Sequence, residues 1–152
     1  MTPGARQRRA QPYWASHALR DVIAKKVQRQ RNLGVIEPSS AEWASPVVLV
    51  PKLDETMRFF VEYRQLNEVT VRNVYPLPCM DNCIDFLGDA RVFSTQDCHS
   101  GYWQIPVVDE DRDKTTVVCR GGAYRCIRLP FSLSHAPATF QRSIDTMLGG
   151  LK

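Results

Sequence analysis

The sequence has 152 residues, of which 43% are hydrophobic, a size and balance that suit one packed domain or a piece of a larger one and exclude a disordered chain. No apolar run approaches the roughly 18 to 20 residues of a membrane-spanning helix; the longest, Val47–Val50, is bracketed by Pro46 and Pro51. The net charge of +4 is unevenly placed: residues 1–31 carry eight Lys/Arg against one acid, Asp21, a balance of +7, and residues 32–152 carry twelve against fifteen acids, a balance of −3.

The basic start, Met1 to Arg9, has no apolar stretch behind it, so no secretory signal is read and an intracellular location follows. Residues 1–15, with Pro3, Gly4 and Pro12, read as an irregular arm ahead of a domain over 16–152. Ser16 is a natural N-cap. Beyond it Leu19, Val22, Ile23, Val27 and Leu33 recur near helical spacing, with Arg20, Lys25 and Arg29 opposite and Gly34 as the stop. This predicts an amphipathic basic helix over 17–33, whose charge suits a phosphate backbone as well as it suits a solvated face.

Pro38 to Ser45 is rich in turn formers. Val47–Val50 predicts a buried strand by its β-branched content, Leu53–Thr56 a loop, and Met57–Tyr63 the returning strand of a hairpin. Pro76 and Pro78 enforce an extended segment. Met80–Leu87 predicts a short helix ended by Gly88, and Val92–Asp97 a strand. Thr115–Cys119 and Tyr124–Arg128 flank Gly121-Gly122 as a second hairpin. Pro137 opens a last helix, with Phe140, Ile144, Met147 and Leu148 on its apolar face and Gly149-Gly150 at its end. Mixed strands and helices without regular alternation predict an α+β fold.

Five cysteines, an odd number with no Cys-x-x-Cys pair, predict reduced thiols. Cys79, Cys83 and His99 are too few and too widely spaced for a closed zinc site.

Six phrases carry more information than any single element: LGVIEPSSAEWASPVVLVP at 33–51, RFFVEYRQLN at 58–67, YPLP at 75–78, FSTQDCHSGYWQIPV at 93–107, DEDRDKT at 109–115 and LPFSLSHAPATFQ at 129–141. In this order and spacing the chain resembles the reverse transcriptase of Ty3/gypsy-type retrotransposons and related retroviruses, over about residues 11–151. The resemblance implies the fingers and upper palm of a right-hand polymerase: antiparallel β-hairpins with packed helices and an incomplete palm.

Such enzymes join a primer 3′-hydroxyl to a nucleotide with two divalent metals, Mg²⁺ or Mn²⁺, held by carboxylates. By resemblance Asp97 is the first metal-binding and catalytic aspartate. Ser100 and Gly101 line the triphosphate with their backbone amides, and Tyr102 lies under the sugar and excludes a 2′-hydroxyl. Phe131 lines the same nucleotide pocket, and Lys52 and Arg58 hold the incoming phosphates, Arg as a fork and Lys as a point charge. Arg64, Asn67 and Gln141 lie at the template and primer strands. The implied partners are a primed RNA or DNA template, a deoxynucleoside triphosphate and the rest of a Pol polyprotein, in the cytoplasm within a virus-like particle or in the nucleus, with no membrane.

Four departures stand out. Glu62 replaces Asp, Gln96 and Cys98 flank Asp97 in place of Leu, Ser132 replaces Gly, and His135 replaces Asn. If the chain has positive φ at 132, Ser costs of the order of a kcal/mol there. The family's Tyr-x-Asp-Asp turn does not occur up to Lys152, and neither do thumb, connection or ribonuclease H regions. The expectation is a portion of a polymerase that makes no DNA alone; the alternative is a non-catalytic nucleic-acid-binding remnant, a decayed or domesticated copy.

Overall fold

The computed structural model describes residues 10, 11, 13, 16–54, 56–71 and 74–150. Of the arm predicted over 1–15, all but 10, 11 and 13 lie outside the described residues, as do 151 and 152.

Helix α1 spans His17–Asn32, and Ser16 caps it by accepting from the Leu19 amide at 3.5 Å. Its exit is a Schellman turn: Gly34 (φ +63°) donates to Arg31 O at 3.0 Å and Val35 donates to Gln30 O at 2.9 Å. Val27 is buried and Ile23 packs against the core, while Lys25 and Arg29 are exposed on the other side. Arg29 and Arg31 occupy the last turn, where cations offset the helix dipole, and the Arg31 guanidinium lies 5.8 Å from the Tyr124 ring centre.

The strands are β1 (Ile36–Pro38), β2 (Ser45–Pro51) and β3 (Met57–Val61), followed after helices α2 (Arg64–Val69), α3 (Met80–Leu87) and α4 (Asp109–Arg112) by β4 (Val117–Cys119) and β5 (Gly122–Cys126). Helix α5 (Ala136–Leu148) closes the chain, with Pro137 in its first turn. Among the described residues the strands form one sheet in the order β1-β5-β4-β2-β3. Both predicted hairpins are present and antiparallel, but β2 and β4 run parallel, with Ser45 opposite Val117. Two strands are shorter than predicted: β3 stops at Val61, and Thr115 belongs to a 3-10 turn. The fifth is shifted two residues earlier, from 124–128 to Gly122–Cys126.

Tyr63, 1% exposed, anchors the core. Its hydroxyl donates to Thr115 O at 2.8 Å, and Thr115 Oγ1 accepts from the Cys126 amide at 2.9 Å. Around it pack Val47, Leu66, Val117, Leu129 and Leu133. Burying these polar groups in pairs avoids the cost of orphaned donors and acceptors.

One prediction is corrected. Val92–Asp97 is not a strand: residues 90–98 adopt no regular structure and are exposed throughout. A strand exists only through hydrogen bonds to a neighbour, and no described segment lies beside this one to pair with it. Helix α3 before it is equally unpacked, with Met80, Ile84 and Phe86 all more than half exposed.

Candidate functional site

The β2–β3 hairpin runs from buried Ser45 to exposed Pro51. Its register sets Val50 opposite Arg58 and Pro51 opposite Met57, which puts Lys52 and Arg58 together at the tip. The tip is closed locally: Lys52 N donates to Thr56 O at 2.8 Å, and the Asp54 carboxylate accepts from the Thr56 amide and hydroxyl at 3.1 and 2.6 Å. Those hydrogen bonds hold the Asp54 carboxyl below its ordinary range. The Arg58 guanidinium stacks 5.7 Å from the Phe60 ring centre on its own strand.

Phe131, 46% exposed, follows β5 and lies 5.2 Å from the Tyr102 ring centre. Tyr102 in turn meets Phe140 of α5 edge-on at 5.3 Å, and Trp103 meets Phe131 at 5.8 Å. These are favourable offset and edge-to-face spacings. The cluster is seated on the chain at Gly101, because a Cβ there would lie 2.8 Å from Phe140 Cζ and 2.9 Å from its Cε2. Gly101 opens a 3-10 turn, Gly101–Gln104, entered from Ser100 in the left-handed region (φ +52°). A crevice of about 50 Å³ is lined jointly by Phe59 and Phe60 of β3, Trp103 and Phe131, so hairpin and aromatic cluster border the same space.

Asn67 on α2 reaches across to the Phe131 loop. Its Nδ2 donates to Ser132 O at 3.0 Å, and its Oδ1 accepts from the Ser134 amide at 2.9 Å. Ser132 has φ +75°, the left-handed conformation in which a side chain is strained. Arg64 is turned to Glu62, with Nη2 2.6 Å from Oε2, and this pairing holds the Glu62 carboxyl low. Gln141 is engaged by Asp145, whose Oδ1 accepts from Nε2 at 2.8 Å while Oδ2 accepts from the Tyr75 hydroxyl at 2.7 Å. Arg142 stacks 5.1 Å from the Tyr75 ring centre, so the Tyr75-Pro-Leu-Pro segment is strapped to α5.

Gly101, Tyr102 and Phe131 are thus brought together, with Ser100 adjoining in sequence and Asn67 joined through the Ser132 turn. Asp97 is exposed in the unpaired stretch that leads into this turn, one residue before Cys98, whose Cβ lies 3.4 Å from where a Cβ on Gly101 would stand. Among the described residues no group of three or more His, Cys, Asp or Glu side chains converges to hold a metal. The described residues do not by themselves supply the donor set of a two-metal centre.

Sequence reasoning placed Phe140 on an apolar helix face but not on Gly101. Its helical spacing reveals a face, not what the face meets. Tyr75, Arg142 and Asp145 carried no signal beyond their place in or near the six phrases, and the partnership of Tyr75 with Asp145 spans 70 residues.

The sequence model of one family, described as reverse transcriptase (RNA-dependent DNA polymerase), matches residues 50–152. The Pol polyprotein of transposon 297 from Drosophila melanogaster is 37% identical over 131 residues, 83% of this chain and 12% of that protein. The Pol polyprotein of transposon gypsy, from the same organism, is 36% identical over 134 residues, 84% of this chain and 13% of that one. The foamy viral protease-reverse transcriptase in complex with an RNA/DNA hybrid superposes with a TM-score of 0.79 at 20% identity, over 99% of this chain and 20% of that one. This likeness shows a shared fold, and the chain spans a small part of each relative.

Proposed function

This chain belongs to the reverse transcriptase family of RNA-dependent DNA polymerases, and on that premise we propose that it forms the fingers and upper palm of a retrotransposon-type polymerase, which grips a primed template and an incoming deoxynucleotide. The observation that carries the reading is the aromatic set of Tyr102, Phe131 and Phe140 seated on Gly101. A partly exposed cluster of tilted and edge-on rings beside a turn of small residues suits a sugar and base, with Tyr102 filling the space a 2′-hydroxyl needs. Lys52 and Arg58 at the hairpin tip face solvent and are disposed to meet phosphates. Arg64, Asn67 and Gln141 lie along the template and primer side, Asn67 also holding the Phe131 loop in place.

Polymerases of this family work with divalent metal, and Asp97 is assigned as one ligand of Mg²⁺ or Mn²⁺, completed by donors outside the residues described. The foamy viral relatives were captured with RNA/DNA hybrid and with double-stranded DNA, which supports a nucleic-acid duplex as the partner here. The chain by itself makes no DNA in this reading.

A second reading, duplex binding without chemistry, is favoured by the exposed Lys25, Arg29 and Arg31 of α1. Two assays separate them. Fluorescence anisotropy with a primed RNA template follows dTTP-dependent tightening of the complex: the polymerase reading expects tightening that Tyr102→Ala and Phe131→Ala abolish while duplex binding persists. Binding with no response to dTTP supports the second reading. Primer extension with Mg²⁺ checks inactivity, and a product lost on Asp97→Asn overturns it.

A further inference from the structure

Gln141 is held by a relay of hydrogen bonds that reaches outside α5. Its Nε2 donates to Asp145 Oδ1 at 2.8 Å, and the other carboxylate oxygen, Oδ2, accepts from the Tyr75 hydroxyl at 2.7 Å. Tyr75 is itself fixed from two sides. It precedes Pro76, which restricts its backbone, and the Arg142 guanidinium stacks 5.1 Å from its ring centre. The bond to Asp145 raises the Tyr75 hydroxyl above its ordinary pKa of 10.0, so at neutral pH it remains the donor.

The relay decides which end of the Gln141 amide is free to meet a partner. A carboxylate only accepts, so the amide must turn its nitrogen to Asp145, and the carbonyl Oε1 is left over as an acceptor. Among the described residues Oε1 takes no hydrogen bond. Gln141 is partly exposed, and it follows Phe140, which packs on Tyr102 and on the turn at Gly101. An acceptor aimed in this way selects a donor. Along a nucleic-acid strand a ribose offers one at every nucleotide, its 2′-hydroxyl, whereas phosphate and deoxyribose offer none. A DNA duplex presents only the guanine amino group in its minor groove. A phosphate approaching Nε2 instead would meet the Asp145 carboxylate.

We propose that Gln141 is a specificity-determining residue, which accepts a hydrogen bond from a ribose 2′-hydroxyl and so favours an RNA strand over DNA, with Asp145 and Tyr75 as the positioning residues that aim it. The proposal rests on the reading that a primed template lies along Gln141. It concerns the bound strand and not the incoming nucleotide, whose sugar is assigned to Tyr102.

The test is fluorescence anisotropy of the full chain with a DNA primer annealed to an RNA template, and with the same duplex carrying 2′-fluoro groups throughout the template. Fluorine keeps the sugar pucker of RNA but donates no hydrogen bond. The parent chain is expected to bind the RNA template about fivefold more tightly, the size of one ordinary hydrogen bond. Gln141→Ala is expected to equalise the two by weakening the RNA duplex alone. Tyr75→Phe removes a hydroxyl turned to Asp145, and is expected to lose most of the same preference while 2′-fluoro binding is unchanged, and to add nothing in the Gln141→Ala background. Equal binding of the two duplexes by the parent overturns the proposal and leaves the template reading in place, a comparison that stands even if a variant fails to fold. A preference that survives Gln141→Ala also overturns it. Tyr75→Phe that weakens both duplexes alike, or neither, overturns the positioning role. Binding of neither duplex by the parent overturns both the proposal and the reading beneath it.

Discussion

Asn67 holds Ser132 in a conformation that Ser132 by itself disfavours. The two are 65 residues apart, yet the Asn67 amide donates to Ser132 O at 3.0 Å and its carbonyl oxygen takes the Ser134 amide at 2.9 Å, bracketing a residue at φ +75°. The left-handed region costs a non-glycine residue of the order of 1 kcal/mol, so the clamp and the strain oppose each other across one turn.

Ser132→Gly therefore stabilises the chain. Relief of the strain slightly exceeds the extra freedom glycine gives the unfolded state, for a net gain of up to about 0.5 kcal/mol. Asn67→Ala costs about 1 kcal/mol through two partly exposed hydrogen bonds. Urea unfolding of both single variants and the double variant reads the coupling: the gain from Ser132→Gly shrinks once Asn67 no longer imposes the turn.

Gly101→Ala forces Phe140 aside, because the new methyl starts 2.8 Å from the ring. Overpacking of this kind costs about 1 to 3 kcal/mol. Phe140→Leu in the same chain recovers part of it. A thermal melt of the four forms is the check, and a Gly101→Ala variant as stable as the parent contradicts the close seating.

Burial pushes the His135 imidazole below its ordinary value of 6.5, opposed by nearby Asp111. A histidine with a lowered folded-state pKa binds fewer protons folded than unfolded between the two values. Stability is therefore complete above about pH 6.5 and falls as the pH drops from there toward the folded value. Asp111 and Lys114 line the same hollow as His135 and are paired with each other. The carboxylates held low, Asp54 and Glu62, lose their contribution only below their ordinary values of 3.8 and 4.5. Denaturation midpoints at pH 7.5 and 5.5 differ in the parent chain, and His135→Asn flattens that difference.

On the proposed reading, Lys25, Lys26 and Arg29 of α1 are expected to supply most of the affinity for nucleic acid. Lys25, Lys26 and Arg29 changed together to Gln weaken duplex binding and lower the salt slope by about 0.9 for each phosphate that is no longer neutralised. Arg31 is left out because its guanidinium also stacks on Tyr124. Unchanged binding and slope place the nucleic acid on another face.

Where a signal is local, the sequence was sufficient. Ser16 and Gly34 bound α1 because a cap and a left-handed stop act within one turn of the helix they end. The same holds for Met80–Leu87, for Pro137 at the head of α5, and for the β2–β3 hairpin with Lys52 and Arg58 at its tip. The short α2 and α4 and the three-residue β1 were not legible, since fewer than two turns or two alternations establish no period. The positive φ at position 132 was foreshadowed only by the glycine that the resembling family carries there, since serine itself gives no such signal.

The tertiary structure decided everything that depends on a partner distant in the chain. Val92–Asp97 has strand-forming residues and yet is no strand, because strand propensity becomes structure only beside another strand. Gly101 is required by Phe140, Ser132 is held by Asn67, and Gln141 is tied through Asp145 to Tyr75. Apart from Gln141 and Asp145, four apart on α5, none of these ties lies within one helical turn or one hairpin. The sequence names the residue types at each end, and only the folded sheet, which lays β4 parallel to β2 and brings α5 down on the turn at Gly101, puts those ends within reach of short-range forces.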